Sequence, residues 1–411
     1  MAYALGVLLF ALAILISVCL HEAGHMVTAK AFGMKVTRYF VGFGPTLWSF
    51  RRGETEYGVK GIPLGGFVKI VGMTPQDDDV DPKDEPRAMW RFPLWKRTVV
   101  MSAGSATHFL LAFVALWFTA MFVGLPNPAL ADQLPAYVKV AHCVIVENVQ
   151  RECRDGDPVA PAEVAGLKDG DKIVSISGEQ IATYDDLVRV IRKVPPGPTP
   201  VGYERNGGAY LITMDLAAVQ RAPIDNQGGP VGTVAAMGVA GTLPPGMPVT
   251  VTYGPIDSIG ASADYSGQMV AATFQSLKTF PEKIPRLWAA LGGGQRDADT
   301  PISVVGATRL GGEAAQHSAW QIFLYLFIGL NFFVGIFNLL PILPVDGGHI
   351  AIAWFERIRS WIYARLGRPD PGRVDYFKLM PITYAIIVIF GGFTLLTVAA
   401  DIINPITLFG R

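Results

Sequence analysis

Charge is scarce in this chain. Asp, Glu, Lys and Arg make up 17% of its 411 residues, against 51% apolar residues. That is too little charge for an ordinary soluble domain and normal for a multi-span membrane protein. The charge present cancels, 34 basic against 34 acidic groups, so nothing suggests nucleic acid as a partner. Three cysteines are too few for a disulfide scaffold. Cys143 and Cys153, ten apart, either form one bridge or stay unpaired, while Cys19 lies inside an apolar run. Lys and Arg are missing from Ala2 to Leu20, so the basic flank of a cleaved signal peptide is lacking and a retained span is expected. Gly (45) and Pro (30) are plentiful, which leaves much of the chain as loop, turn and short strand.

Histidine is also rare, six in all, so its placement is informative. His21-Glu22-Ala23-Gly24-His25 closes the first apolar run. On a helix, residues four apart point the same way one turn apart. Two neutral imidazoles at that spacing suit a divalent zinc, and the adjacent Glu22 suits a base that takes a proton from water. With six His and twelve Glu in the chain, chance produces only roughly 0.003 such motifs. Ionisable groups inside a span are costly and mark function.

Four stretches are long enough to cross a bilayer, which takes about 20 residues each. They are Ala4–Ala29, Thr98–Val123, Trp320–Leu343 and Pro381–Ala400. Twelve Lys/Arg lie in residues 30–97 and six in 357–378, whereas the 196 residues of 124–319 hold fifteen. Basic residues favour the cytoplasmic side, so 30–97 and 344–380 are expected there and 124–319 with both termini outside. The first and third spans then both run inward, which puts the histidines and Asp346 in one leaflet. Catalytic zinc takes three protein ligands and an open position. Asp346, on the Pro/Gly-broken stretch Pro341–Gly348, is the preferred third ligand, with His349 competing and His108 in the second span weaker.

Residues 36–72 are β-rich and aromatic, with a hairpin turn at Arg51–Thr55. A small sheet dipping into the inner face of the membrane is expected, its free edge able to pair with an extended substrate. Gln76–Pro86 reads as a solvated acidic loop. In the external segment, the order Pro161–Asp171, strand Lys172–Ile176, turn Ser177–Gln180 and helix Tyr184–Lys193 resembles a PDZ domain, a fold that binds extended peptides along a sheet edge. Residues 222–319 suggest irregular linkers with short helices near 266–291 and 302–315. Arginines interleaved with Ile358, Trp361, Ile362 and Leu366 across Phe355–Lys378 read as a helix lying on an anionic membrane surface.

The motif His21–His25, then Gly42-Phe43-Gly44, the PDZ-like insertion and Asn338-Leu339-Leu340-Pro341 leading to Asp346-Gly347-Gly348 together resemble the site-2 protease family, bacterial members above all. That resemblance covers nearly the whole chain. It implies an intramembrane zinc metalloprotease in which His21, His25 and Asp346 bind zinc and Glu22 is the catalytic base. Asn338 and Pro341 would handle substrate, and Gly42–Gly44 would belong to a β-loop presenting substrate as a strand. The implied partners are membrane proteins already trimmed outside the bilayer, such as anti-sigma factors or remnant signal peptides. One PDZ-like module is present where some relatives have two. A zinc transporter or metal sensor, or a PDZ scaffold with a dead metal site, are the competing readings.

The expected fold is therefore a polytopic α-helical membrane protein of about four spans, with a membrane-associated β-hairpin or sheet and one extracytoplasmic PDZ-like α/β domain. Its expected division is a first span with the zinc motif (1–35), the β-loop region (36–72), a cytoplasmic loop (73–97) and a second span (98–123). The PDZ-like domain (137–217) and an external extension (218–319) follow. A third span with the Asp-Gly motif (320–350), a basic interfacial loop (351–380) and a fourth span (381–404) complete it.

Overall fold

The computed structural model describes residues 1–73, 80–130, 134–149, 151–224, 230–292, 296 and 299–409. Residues 76–79 of the expected acidic loop lie outside the described residues. The chain divides into two units, Met1–Val123 with Thr252–Arg411, and Gly124–Val251.

The first unit is helical apart from one sheet. Helix α1 spans Ala2–Ala31, and strands β1 (Val36–Arg52) and β2 (Thr55–Ile70) follow, then helix α2 (Leu94–Phe122). After the second unit the chain returns through α5 (Asp257–Leu291), α6 (Val304–Gln316), α7 (Trp320–Asn338), α8 (Asp346–Arg365) and α9 (Met380–Ile403). Four of these, α1, α2, α7 and α9, are long and apolar enough to cross a bilayer. Together with the sheets they make this a membrane protein.

Three boundaries differ from the pattern reading. Helix α2 starts at Leu94 rather than Thr98, because Lys96 does not end it; its ammonium lies over Phe32, Phe92 and Trp95 at 5.3–5.6 Å and satisfies its charge there. The third apolar stretch is not one helix. It stops at Asn338, passes Pro341 and the cis bond Leu343–Pro344, and restarts at Asp346. Residues 257–291 form a single 35-residue helix despite Pro281 and Pro285. Tertiary packing overrides the prolines, as Tyr265 stacks on Tyr325 of α7 and Phe280 packs at a tilt against Phe393 of α9.

Strands β1 and β2 fold back on themselves. Val36–Val41 pairs antiparallel with Gly66–Ile70 on one side, while Arg38–Val41 lies beside Glu56–Val59 on the other. Glu56–Val59 in turn meets Trp48–Arg51. Two strands thus supply four sheet segments, with Gly66–Ile70 at one edge. Gly42 sits at the bend with φ +86°, and a Cβ there would meet the Ile62 carbonyl at 2.7 Å, so only glycine fits.

A fully buried ion pair anchors the end of α9. Asp401 bonds Arg296 at 2.7 Å and takes the Ser303 backbone N–H and hydroxyl at 2.7 and 2.6 Å. Every charge is matched, which a buried pair requires.

The second unit is an α/β module. It comprises β3 (Leu125–Pro126), β4 (Tyr137–Val140), α3 (Pro161–Val164), β5 (Asp171–Ile176), β6 (Glu179–Gln180) and α4 (Tyr184–Ile191). Then follow β7 (Gly197–Arg205), β8 (Gly208–Arg221), β9 (Gly232–Ala236), β10 (Val239–Gly241) and β11 (Thr250–Val251). The main sheet runs β10-β4-β5-β7-β8-β9 with β6 paired to β5. Its core holds Ile173, Ile176, Leu187, Val201 and Met214. Helix α4 begins on a capping box in which Thr183 and Asp186 satisfy each other's backbone N–H. Beyond residue 217 the chain is not all linker: β9 pairs with β8 and β10 with β4 in this sheet, while β11 pairs with β3. Cys143 and Cys153 are disulfide-bonded.

Candidate metal centre

His21 and His25 lie one turn apart on α1, both buried, and their rings meet edge to face at 4.7 Å. Their Nε2 atoms are 3.1 Å apart. Asp346, the first residue of α8, brings its Oδ2 to 3.2 Å from His21 Nε2 and 3.3 Å from His25 Nε2. Among the described residues these three form the cluster able to hold a metal.

The elements are forced together by small residues. A Cβ on Gly104 of α2 would lie 2.5 Å from His25 Nε2 and 2.6 Å from His21 Nε2, so glycine alone leaves room for the imidazoles. Gly347 and Gly348 do the same for α8, whose first turn rests on the backbone of Leu339, Leu340 and Ile342. The break after α7 is what delivers Asp346 to the histidines.

Hydrogen bonding fixes one ring's chemistry. His25 Nδ1 faces the Val100 carbonyl at 2.7 Å, so it carries the proton and Nε2 keeps its lone pair. Asp346 Oδ2 and His21 Nδ1 are buried with no hydrogen-bond partner. Lone pairs of nitrogen and carboxylate oxygen converging at 3.1–3.3 Å repel unless a cation lies between them. Tetrahedral zinc with bonds of about 2.0–2.1 Å sets neighbouring donors about 3.3 Å apart. The residues present fit that ion.

Glu22 is half-buried beside the first histidine. The Val68 backbone, on the edge segment of β2, faces its carboxylate, and Gly66 lies next to its side chain. The other candidates stand apart from the donor triangle. His349 stacks on Tyr376, with Nδ1 at 3.4 Å from its hydroxyl; burial pushes that phenol up to about 12. His108 stands with its ring 5.0 Å from that of His21. Its Nδ1 donates to Asn331 Oδ1 at 2.8 Å, and Ser17 bonds both. Asn331 is oriented by donating to the Phe327 carbonyl at 2.9 Å. Asn338 ends α7 and Pro341 lies exposed in the following break. Gly42, Phe43 and Gly44 form the bend of β1 against Ile62.

Sequence reasoning missed the Val100 carbonyl, Gly104 and the Ser17–Asn331 pair. A carbonyl leaves no trace in a sequence. Asn331 did leave one, as a polar residue inside an apolar span, and so did Gly104 within the small-residue run Ser102–Ala106.

Residues 9–367 match peptidase family M50. Zinc metalloprotease Rip1 of Mycobacterium bovis is 43% identical over 412 residues, covering 100% of both chains. Rip1 of Mycobacterium tuberculosis is also 43% identical over 412 residues, and Rip1 of Mycolicibacterium smegmatis is 42% identical over 413, each again covering 100% of both chains. With a metal-fitting centre and full-length likeness to these enzymes, the chain belongs to peptidase family M50 and is a zinc metalloprotease.

Proposed function

We propose that His21, His25 and Asp346 hold the zinc and that Glu22 is the catalytic base for hydrolysis of peptide bonds within or near membrane-spanning segments. The observation that carries this reading is the convergence of three unneutralised donor atoms at 3.1–3.3 Å with a carboxylate one residue away. Zinc, when bound, supplies Lewis acidity that activates water near neutral pH and polarises the scissile carbonyl. Glu22 takes a proton from the attacking water and delivers it to the leaving amine. The β2 edge at Gly66–Val68 flanks that carboxylate. The Val100 carbonyl and Asp346 hold the His25 ring from both ends.

Substrate enters as an extended strand on the free edge Gly66–Ile70, which lies beside Glu22 at Gly66. A helical peptide bond is shielded by its own hydrogen bonds, and strand addition exposes it. Gly42, Phe43 and Gly44 shape the bend of this sheet, and Asn338 and Pro341 handle substrate from the break before Asp346. The metal lies toward the cytoplasmic face, since His25 is five residues, about 7.5 Å of helix, from Lys30. By the distribution of basic residues the inserted unit is extracytoplasmic. Its strand and helix order supports a PDZ-like module that takes extended peptide. The substrates are single-span membrane proteins shortened outside the bilayer.

Incubating wild type and Glu22→Gln with candidate single-span proteins, and reading fragments by mass, tests this. Wild type cleaves, and Glu22→Gln keeps its zinc but is slower by about 10²–10⁴-fold. Unchanged cleavage by a zinc-loaded Glu22→Gln rejects the assignment.

A further inference from the structure

Helix α8 has two different ends. Its first residue, Asp346, meets both histidines, while its last three turns carry an unpartnered face. Phe355, Ile358, Trp361 and Ile362 are each between 43% and 56% exposed. At about 100° per residue they form one stripe. Arg357 and Arg359 border it on opposite flanks, and the Arg365 guanidinium lies 5.0 Å over the Trp361 ring. The rear of the helix is fastened down. Ala353 is buried, Glu356 accepts from Arg97 at 3.5 Å and from the Val374 N–H at 2.9 Å, and the Trp354 indole donates to Thr98 at 3.2 Å.

This face carries aromatic rings and arginines at the end of two candidate spans. Helix α8 follows α7 after only seven residues and is tied to α2 at Thr98. Near that point Trp95 is exposed and Lys96 lies across three aromatic rings. Indoles settle at the headgroup level, and arginine beside them matches anionic phosphate. The bilayer surface is thus the occupant that both charge and position select.

We propose that α8 senses bilayer surface charge, anionic phospholipid headgroups seating its arginine-flanked face and thereby setting how firmly Asp346 holds the metal. This rests on the reading that His21, His25 and Asp346 bind zinc. One continuous helix of about 30 Å links the two ends. Its first turn packs through Gly347 and Gly348 on the backbone before it, so displacement of the helix as one body shifts Asp346 relative to His21 and His25. Each arginine near an anionic surface contributes about fivefold to its attraction.

The test uses the full chain, zinc-loaded, in vesicles of phosphatidylcholine alone or mixed with phosphatidylglycerol, and follows zinc loss to excess chelator with a metal-sensitive dye. Wild type is expected to lose zinc about 3- to 10-fold more slowly in the anionic vesicles, an effect that shrinks as salt is raised. Arg357→Gln/Arg365→Gln abolishes the difference, and the matching double lysine variant, which keeps the charge, retains it. Equal rates for wild type in both vesicles, or an undiminished difference in the glutamine variant, overturn the proposal. Asp346→Ala, run alongside, separates the two failures: if it holds zinc as wild type does, the metal assignment falls too. Lipid-independent loss from a protein whose zinc does depend on Asp346 removes only the proposal.

Discussion

His25 Nδ1 lies 2.7 Å from the carbonyl oxygen of Val100. One residue on the first span is therefore oriented by the backbone of the second. A carbonyl pulled toward a side chain inside an apolar helix leaves the ring only one lone pair, on Nε2, and Nε2 is the atom that faces Asp346 at 3.3 Å. The histidine motif thus becomes a metal site only when α1, α2 and α8 are assembled, which ties metal affinity to the packing of all three.

That dependence makes Gly104→Ala a sharp substitution. The added methyl would sit 2.5–2.6 Å from atoms of both rings, closer than any non-bonded contact allows. Alanine also favours helix by about 1 kcal/mol over glycine, so α2 itself should not suffer. The expected outcome is a folded protein whose zinc content, measured by atomic emission, falls to a small fraction of one per chain. Full zinc occupancy would show that the rings have room to move.

Asp346→Ala and His349→Ala separate the two carboxyl-side candidates. Removing Asp346 takes away a donor 3.2–3.3 Å from both histidines, and zinc content should drop severely. His349 is engaged with Tyr376, so its alanine variant should keep one zinc per chain. The reverse pattern in a metal-buffer titration would transfer the third ligand to His349.

How much of this was legible beforehand follows from the range of each signal. His21 and His25 are four apart, and helix geometry alone brings them together. Asp346 needed only the direction of two spans, because leaflet depth is a one-dimensional quantity that residue order reports. The hairpin turn at Arg51–Thr55 could be read locally, but the folding back of β1 and β2 into four segments depends on the bend at Gly42 and its partner Ile62, a pairing between distant residues. A helix near 266–291 was legible across Pro281 and Pro285, but not its start at Asp257, because Ser258, Gly260 and Ser262 are weak helix formers, and burial of the two serines rather than propensity holds that turn. Val100 contributes a backbone atom, and no side-chain pattern marks that.

The second unit has its own weak point at Asp171. This carboxylate is almost fully buried and receives a two-pronged bond from Arg205 at 2.7 and 2.6 Å, plus the Lys168 N–H at 2.8 Å. Arg205→Ala would leave a buried charge with one partner. A loss of about 3 kcal/mol is expected, seen as faster amide hydrogen exchange in β5 and β7 while the first unit keeps its protection. Unchanged exchange in both strands would mean that water replaces the guanidinium.

Acid should loosen the disulfide-closed loop only at low pH. Arg151 grips Asp157 with two bonds of 2.6 and 2.7 Å, and the Arg154 N–H adds a third at 2.7 Å. The guanidinium beside Asp157 holds its carboxyl down at about 2, below the value near 3.9 of a free aspartate. A depressed carboxylate stabilises the fold above its unfolded pKa, and that contribution fades as pH falls from about 4 through about 2. The group is half-buried within a surface loop, so the effect is confined to the loop rather than to global stability. Carboxyl-carbon NMR should show Asp157 titrating near 2 in wild type and near 3.9 in Arg151→Gln. Amide protection around Cys143–Cys153 should decline over the same interval in wild type and begin its decline at higher pH in the variant. A wild-type Asp157 that titrates at the free value would mean that the Arg151 contact does not persist in solution.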